Sequence, residues 1–285
     1  MAITLDDKYA AERGSVYLTG TQALVRLPMT QMRRDRAAGL NTGCFISGYR
    51  GSPLGGYDQQ LVKAKKHLDR HGIVFQPGLN EDLAATAVWG SQQVQLSPGA
   101  RKDGVVGLWY GKGPGVDRCG DVFKHANAAG SAALGGVLAI AGDDHTCKSS
   151  SIPHQSDHAF ISALMPMLYP SSVHEFLEMG LLGIAMSRFS GCWVGFKVIS
   201  ETVEISSVVD LAQEARSFIL PPDFQLPPGG PGRAARGHRG HLHRRPHRPR
   251  GPARRDGQPR RTAARQRHGH RRLQPGDQQG FLAGD

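Results

Sequence analysis

"GCFISGYRGSPLGGYDQQLVKAKKHLDRHGIVFQP", residues 43–77, runs from one short apolar segment through a glycine-rich loop and a charged stretch into a second apolar segment. "GCFISGY" (43–49) and "GIVFQP" (72–77) have the length and the β-branched or aromatic content of strands. Between them "DQQLVKAKKHLDRHG" (58–72) sets Leu61, Val62 and Leu68 among charges and stops at a glycine, as a helix does. The alternation continues outward. "GVVGLWY" (104–110), "GGVLAIAG" (135–142), "PMLYP" (166–170) and "CWVGFKVIS" (192–200) read as strands, several of them buried on both faces. "NEDLAATAVWGSQQVQL" (80–96) opens on the N-cap residue Asn80 with two acids in its first turn. "SSVHEFLEMGLLGIAMSRFSG" (171–191) places Val173, Phe176, Leu177, Gly180, Leu181 and Ile184 on one helical face. Strands alternating with helices predict an α/β fold, a mostly parallel sheet with helices on both faces.

In such sheets ligands bind beyond the C-terminal strand ends. The segments that follow the strands are "GYRGSPLGGYD" (48–58), "GLNEDLAATA" (78–87), "GKGPGVDRCGD" (111–121) and "DDHTCKSSSIPHQSDHAF" (143–160). All are rich in glycine and small polar residues, and a parallel sheet brings them to one edge. Four such loops on one edge predict a site, because glycine lets backbone approach a ligand closely. "GKGPG" lacks the spacing of a phosphate-binding Walker loop, and no G-x-G-x-x-G follows a strand. Ser149, Ser150 and Ser151 have no G-x-S-x-G elbow around them. Glu81 reads by spacing as a first-turn acid complementing the helix dipole. His154 and His158, at i and i+4 on an expected helix, form a possible metal pair, but no third ligand is placed, so structural or substrate-facing histidines are the reading and no metal residue is assigned.

Charge divides the chain. Through Leu220 there are 20 basic and 20 acidic residues, whereas Pro221–Asp285 holds 15 basic and 4 acidic, so the whole net charge of +11 lies in the tail. No run of about 18 apolar residues spans a membrane, and the N-terminus lacks a signal-peptide core. Cys44, Cys119, Cys147 and Cys192 are widely spaced without C-x-x-C, which suits reduced thiols in a cytoplasmic protein.

The blocks "GTQALVRLP", "FISGYRGSPLGG", "VFQPGLNEDLAATAVWGSQQ", "GLWYGKGPGVDRCGDVFKHANAAG", "GDDHTCKSSSIPHQSDH" and "LPPDFQLPPGG" resemble the N-terminal part of the large single-chain bacterial indolepyruvate ferredoxin oxidoreductases. These are thiamine-diphosphate-dependent 2-oxoacid:ferredoxin oxidoreductases. The resemblance runs from about residue 5 to Gly230. It implies that residues 1–220 form the domain binding the aminopyrimidine end of the cofactor. It implies too that Glu81, in "LNEDLAATA", is the catalytic carboxylate that faces N1′ of that ring, with Asp82 capping the helix. "YRGSP" resembles the loop near the substrate carbonyl, which assigns Gly51, Ser52 and Pro53 to the cofactor side and Arg50 and Ser52 to the substrate. His154 and Gln155 fall in the segment that lines the pocket. The implied parent reaction is oxidative decarboxylation of an aryl 2-oxoacid to acyl-CoA with electron transfer to ferredoxin, in a homodimer or larger assembly.

The same resemblance marks what is missing. No G-D-G motif is present to hold the cofactor diphosphate and Mg²⁺, and no cysteine follows Cys192 for an iron–sulfur cluster. These belong to parts of the parent enzyme outside this chain, so the fragment is expected to be inactive alone. Residues 231–275 use only Pro, Gly, Arg, Ala, His, Leu, Asp, Gln and Thr, the vocabulary of a GC-rich gene read out of frame. The expectation is a tail, 221–285, that is disordered and out of frame from about residue 231. The alternative is an α/β binding protein whose arginine-rich arm holds nucleic acid nonspecifically through phosphate charge.

Overall fold

The computed structural model describes residues 4–96 and 98–221. The out-of-frame reading and the arginine arm, on residues 222–285, lie outside the described residues.

In chain order the elements are α1 (Asp7–Ala10), β1 (Ser15–Thr19), α2 (Gly20–Ala37), β2 (Gly43–Gly48), α3 (Tyr57–Lys63), α4 (Lys65–Arg70), β3 (Ile73–Phe75), α5 (Glu81–Ser91), β4 (Val105–Lys112), α6 (Gly113–Arg118), α7 (Gly120–Ala129), β5 (Val137–Asp143), α8 (Asp157–Ser162), β6 (Met167–Leu168), α9 (Val173–Ser190), β7 (Val194–Ile199), α10 (Ser200–Val203) and β8 (Ser206–Asp210). Six strands form one sheet in the order β3-β2-β4-β5-β7-β6, every neighbouring pair parallel. The expected α/β class, parallel sheet and helices on both faces are all present.

Alternation along the central strands builds two cores. On β4, Val106, Leu108 and Tyr110 join Leu138 and Ile140 of β5 and Val194, Phe196 and Val198 of β7 in a core covered by α2 and α9. Trp109 of β4 and Val137, Ala139 and Ala141 of β5 point to the opposite face, where α5, α7 and α8 supply Ala85, Val88, Phe123 and Phe160. Two-sided burial is why these strands read as unbroken apolar runs. The six residues placed on one face of the 171–191 helix are all buried in α9, which is capped by Ser172 and ended by Gly191 at φ +82°.

Several local expectations are corrected. The helix expected over 58–72 is two short helices broken at Ala64. The 80–96 helix ends at Ser91, and a separate short turn covers Val94–Leu96. Residues 113–129, read as a loop at their start, are helical almost from the end of β4. Helix α8 starts at Asp157, so His154 lies in the preceding loop, and His154 and His158 do not share a helix. A two-stranded antiparallel sheet, β1 with β8, joins Ser15 to Asp210 across nearly the whole domain. Sequence reading did not single out α2, although Thr19 and Gln22 cap it reciprocally. No helix among the described residues is long and apolar enough to cross a membrane.

Candidate functional site

The C-terminal ends of β2, β4 and β5 bring the glycine-rich segments to one edge of the sheet. Glu81 is the first residue of α5 and is half-buried. Asn80 caps the helix, its side-chain oxygen accepting from the Leu83 N–H at 2.9 Å, and the Trp109 indole N–H donates to the Glu81 carbonyl at 2.9 Å. The Glu81 side chain then lies over the backbone of α6. A Cβ on Gly115 would come 2.5 Å from its Cγ and 2.9 Å from its Oε1. Among the described residues, no hydrogen bond or ion pair engages its carboxylate.

Asp82 does not cap the helix as expected. Its carboxylate pairs with the Arg118 guanidinium of α6, and the cap position is filled by Asn80. Two adjacent acids in one helical turn, both half-buried, are thus unlike: Asp82 is paired with Arg118, and the Glu81 carboxylate has no hydrogen-bond or ion-pair partner among the described residues.

The loop 49–56 lies over the end of the sheet. Pro53 and Leu54 are buried, and a Cβ on Gly142 would meet Pro53 Cδ at 2.9 Å and Leu54 Cγ at 3.1 Å. Gly51 faces the Lys112 side chain, with 2.7 Å from its would-be Cβ to Cδ. Ser52 is half-buried and Arg50 exposed. Lys112 Nζ reaches on to the Ser149 carbonyl at 3.2 Å and Ser150 Oγ at 3.1 Å, so it ties this loop to the one that follows β5.

That second loop is held from below by charge. Asp143 is fully buried; its carboxylate accepts from the Ser156 N–H at 2.8 Å and Ser156 Oγ at 2.5 Å. Lys197, 4 % exposed, lies between Asp157 at 2.7 Å and Asp143 at 3.4 Å. Burial favours the neutral lysine, but these two carboxylates outweigh it and raise its pKa. Burial likewise opposes ionisation of Asp157, and Lys197 more than offsets it, lowering the carboxyl below its ordinary value. His154 is 10 % exposed, with Nε2 at 2.7 Å from Asp117 Oδ2 and Nδ1 at 3.6 Å from Asp143 Oδ1. Its ring packs on Gly113, 2.0 Å from a would-be Cβ. Gln155 and His158 are exposed.

The end of β4 and the short helix after it thus join the expected residues, with Gly115 under Glu81, Gly113 under His154 and Lys112 beside Gly51. Sequence reading passed over Lys112, Gly113, Gly115, Asp117, Arg118, Asp143 and Lys197. The first five stand together in "KGPGVDR", whose paired glycines were the available signal. Nothing local links Asp143 to Lys197. A cleft of about 350 Å³ opens elsewhere, at the N-terminal strand ends between Arg36, Asn41, His71 and Lys102, and contains none of the expected residues.

No family model matches the chain. In sequence it is 28 % identical over 176 residues to the indolepyruvate oxidoreductase subunit IorA of Methanothermobacter marburgensis, an alignment covering 61 % of this chain and 24 % of that protein. The chain therefore spans about a quarter of the length of this curated relative. In fold it is similar to the 2-oxoglutarate:ferredoxin oxidoreductase from Magnetococcus marinus, a structure with 2-oxoglutarate, coenzyme A and succinyl-CoA bound. The TM-score is 0.53 at 14 % identity, over 70 % of this chain and 32 % of that one. The chain is thus similar in sequence to part of an indolepyruvate oxidoreductase subunit, and it shares the fold of part of a 2-oxoglutarate:ferredoxin oxidoreductase.

Proposed function

We propose that the described residues form the part of a 2-oxoacid:ferredoxin oxidoreductase that receives the aminopyrimidine end of thiamine diphosphate, and that Glu81 is the carboxylate presented to that ring. The observation that carries this reading is the state of Glu81. It is half-buried at the C-terminal edge of a parallel sheet, seated on glycine backbone, with no hydrogen-bond or ion-pair partner for its carboxylate among the described residues. A heterocycle with a basic nitrogen fits that need, since it gives a half-buried carboxylate without another partner a proton to share.

When bound, thiamine diphosphate supplies a carbon nucleophile for the keto carbon of a 2-oxoacid, with loss of CO₂, passage of electrons to ferredoxin and of the acyl group to coenzyme A. Glu81 Oε holds and returns a proton at the ring nitrogen. The Trp109 N–H on its carbonyl and the Asn80 cap fix the first turn of α5 and so orient it. Gly51, Ser52 and Pro53 form the wall beside it, and Arg50, exposed next to them, faces the substrate carboxylate. His154 has Nε2 on Asp117 and Nδ1 near Asp143, so in this reading it holds the loop 144–156 in place as a pocket wall, with Gln155 free to reach substrate. The Mg²⁺ and diphosphate site, the iron–sulfur cluster and the coenzyme A site belong to other parts of the assembly, an oligomer in the cytoplasm that acts on an aryl 2-oxoacid.

The experiment is Glu81→Gln in the assembled oxidoreductase. General-base contributions are typically about 10²–10⁴-fold, so exchange of the C2 proton of bound thiamine should slow by at least roughly 10²-fold, with little change in thermal midpoint. Asp82→Asn should exchange at close to the wild-type rate. Wild-type exchange in Glu81→Gln, or damage in Asp82→Asn instead, overturns the assignment.

A further inference from the structure

Four of the six residues of α6 touch the two sides of the site. On a helix, residues three or four apart share a face. Gly113 and Asp117 lie on the face toward His154, one under its ring and the other on Nε2 at 2.7 Å. Gly115 and Arg118 lie on the face toward α5, one under Glu81 and the other on Asp82. The three atoms nearest a Cβ at Gly115 all belong to Glu81: Cγ at 2.5 Å, Oε1 at 2.9 Å and Cδ at 3.0 Å. Glu81 is therefore the first side chain that a Cβ at 115 would meet. The Arg118–Asp82 pair is 52 % and 37 % exposed, and surface pairs of this kind contribute only about 0–1 kcal/mol to stability. Its effect is on charge: it ties up the one other carboxylate in the first turn of α5.

We propose that α6 is the positioning element for Glu81, in which Gly115 sets the seat of the carboxylate and Arg118 withdraws Asp82, leaving one uncommitted acid in the turn. The proposal rests on the reading of Glu81 given above but makes separate predictions about the chain itself. Gly115→Ala should push the Glu81 side chain toward solvent. Arg118→Gln should free Asp82 and leave Glu81 where it is.

The test uses the full chain without cofactor. The first measurement is a thermal double-mutant cycle with Glu81→Ala, which removes all three contacting atoms. Alanine has the better helix propensity at this position in either background, so the test is the difference: the midpoint change on Gly115→Ala should be roughly 2–12 °C less favourable in the wild-type background than in the Glu81→Ala background. An equal change in both backgrounds overturns the seat. If Gly115→Ala does not fold, folding of the double variant supports the proposal, and failure of both overturns it. The second measurement is carbodiimide-driven amidation of carboxylates, read residue by residue by mass spectrometry. Gly115→Ala should speed labelling of Glu81 several-fold. Arg118→Gln should speed labelling of Asp82 and leave Glu81 unchanged, a selectivity that a merely structural role for α6 does not produce. Unchanged labelling of Asp82 in Arg118→Gln, or of Glu81 in Gly115→Ala, overturns it. If the cycle and labelling hold while Glu81→Gln exchanges the thiamine proton normally, the seat is real and the catalytic role of Glu81 is what fails.

Discussion

Replacing Glu214 by Gln should destabilise the fold far more than a surface ion pair would. Arg26, fully buried on α2, places Nε 2.6 Å from Glu214 Oε1 and Nη2 3.1 Å from Oε2. Nη1 also donates to the Lys8 carbonyl at 2.8 Å and Nη2 to the Ala11 carbonyl at 2.6 Å. Arg33 reaches the same carboxylate at 3.2 Å. Burial and the charge of Arg26 lower the Arg33 pKa, with Glu214 opposing both. Glu214→Gln keeps the shape but leaves one guanidinium buried and a second beside it, with no anion between them. Breaking a buried pair from one side costs roughly 3–5 kcal/mol. At about 2–4 °C per kcal/mol for a domain of this size, the thermal midpoint of the full chain should fall by roughly 6–20 °C. The control is Glu178→Gln, which breaks the exposed 2.6 Å pair with Arg216 and should cost about 0–1 kcal/mol. A second arm, Arg26→Met with Glu214→Leu, should regain part of the loss, because apolar replacement of a buried pair is often neutral while two carbonyls lose their donor. The measurement is thermal unfolding followed by circular dichroism at neutral pH. If Glu214→Gln lowers the midpoint no more than Glu178→Gln does, the buried cluster is not holding Lys8, Ala11 and Glu214 to α2 and the reasoning fails.

Acid should weaken the fold in part through Asp35. Burial pushes its carboxyl up, but hydrogen bonds from Arg188 and Thr42, the Arg188 charge and a hydrogen bond from Gln31 outweigh it and hold the pKa below its ordinary 3.8. A depressed folded value means stability that is complete above the unfolded pKa and lost as pH falls through the folded one, so Asp35→Asn should flatten the acid limb of the midpoint–pH curve below about pH 4. Thiol titration should split the cysteines. Burial raises the pKa of Cys44 and Cys119, whereas Cys147 and Cys192 are partly exposed, so two of the four thiols should react promptly with a disulfide reagent in the native chain and all four in denaturant.

Much of this fold was legible locally. Strands buried on both faces must be apolar throughout, so "GVVGLWY" and "GGVLAIAG" could be read as β4 and β5 to within about two residues. The α5 start was legible because Asn80 is a capping side chain and acts as one. Helix α6 was not, because each glycine costs about 1 kcal/mol of helix propensity, and "GKGPG" reads as a turn until the side chains that cover it are in place. The family resemblance singled out Glu81 and gave Asp82 the separate role of a cap, but nothing local pointed to the pairing of Asp82 with Arg118, 36 positions away.

The sequence by itself determined the α/β class, the parallel sheet, the glycine-rich edge on which a site is expected and the segregation of charge into the tail. These follow from composition and from periodicities of two and 3.6 residues, which every local window displays. Only the tertiary structure decided that Arg118 takes Asp82, that Gly115 seats Glu81, that Lys197 lies between Asp143 and Asp157, and that Arg26 meets Glu214 from 188 positions away. Such pairings depend on which strand ends and helix faces are brought within a few ångströms, and charge interacts across space with no regard to distance along the chain.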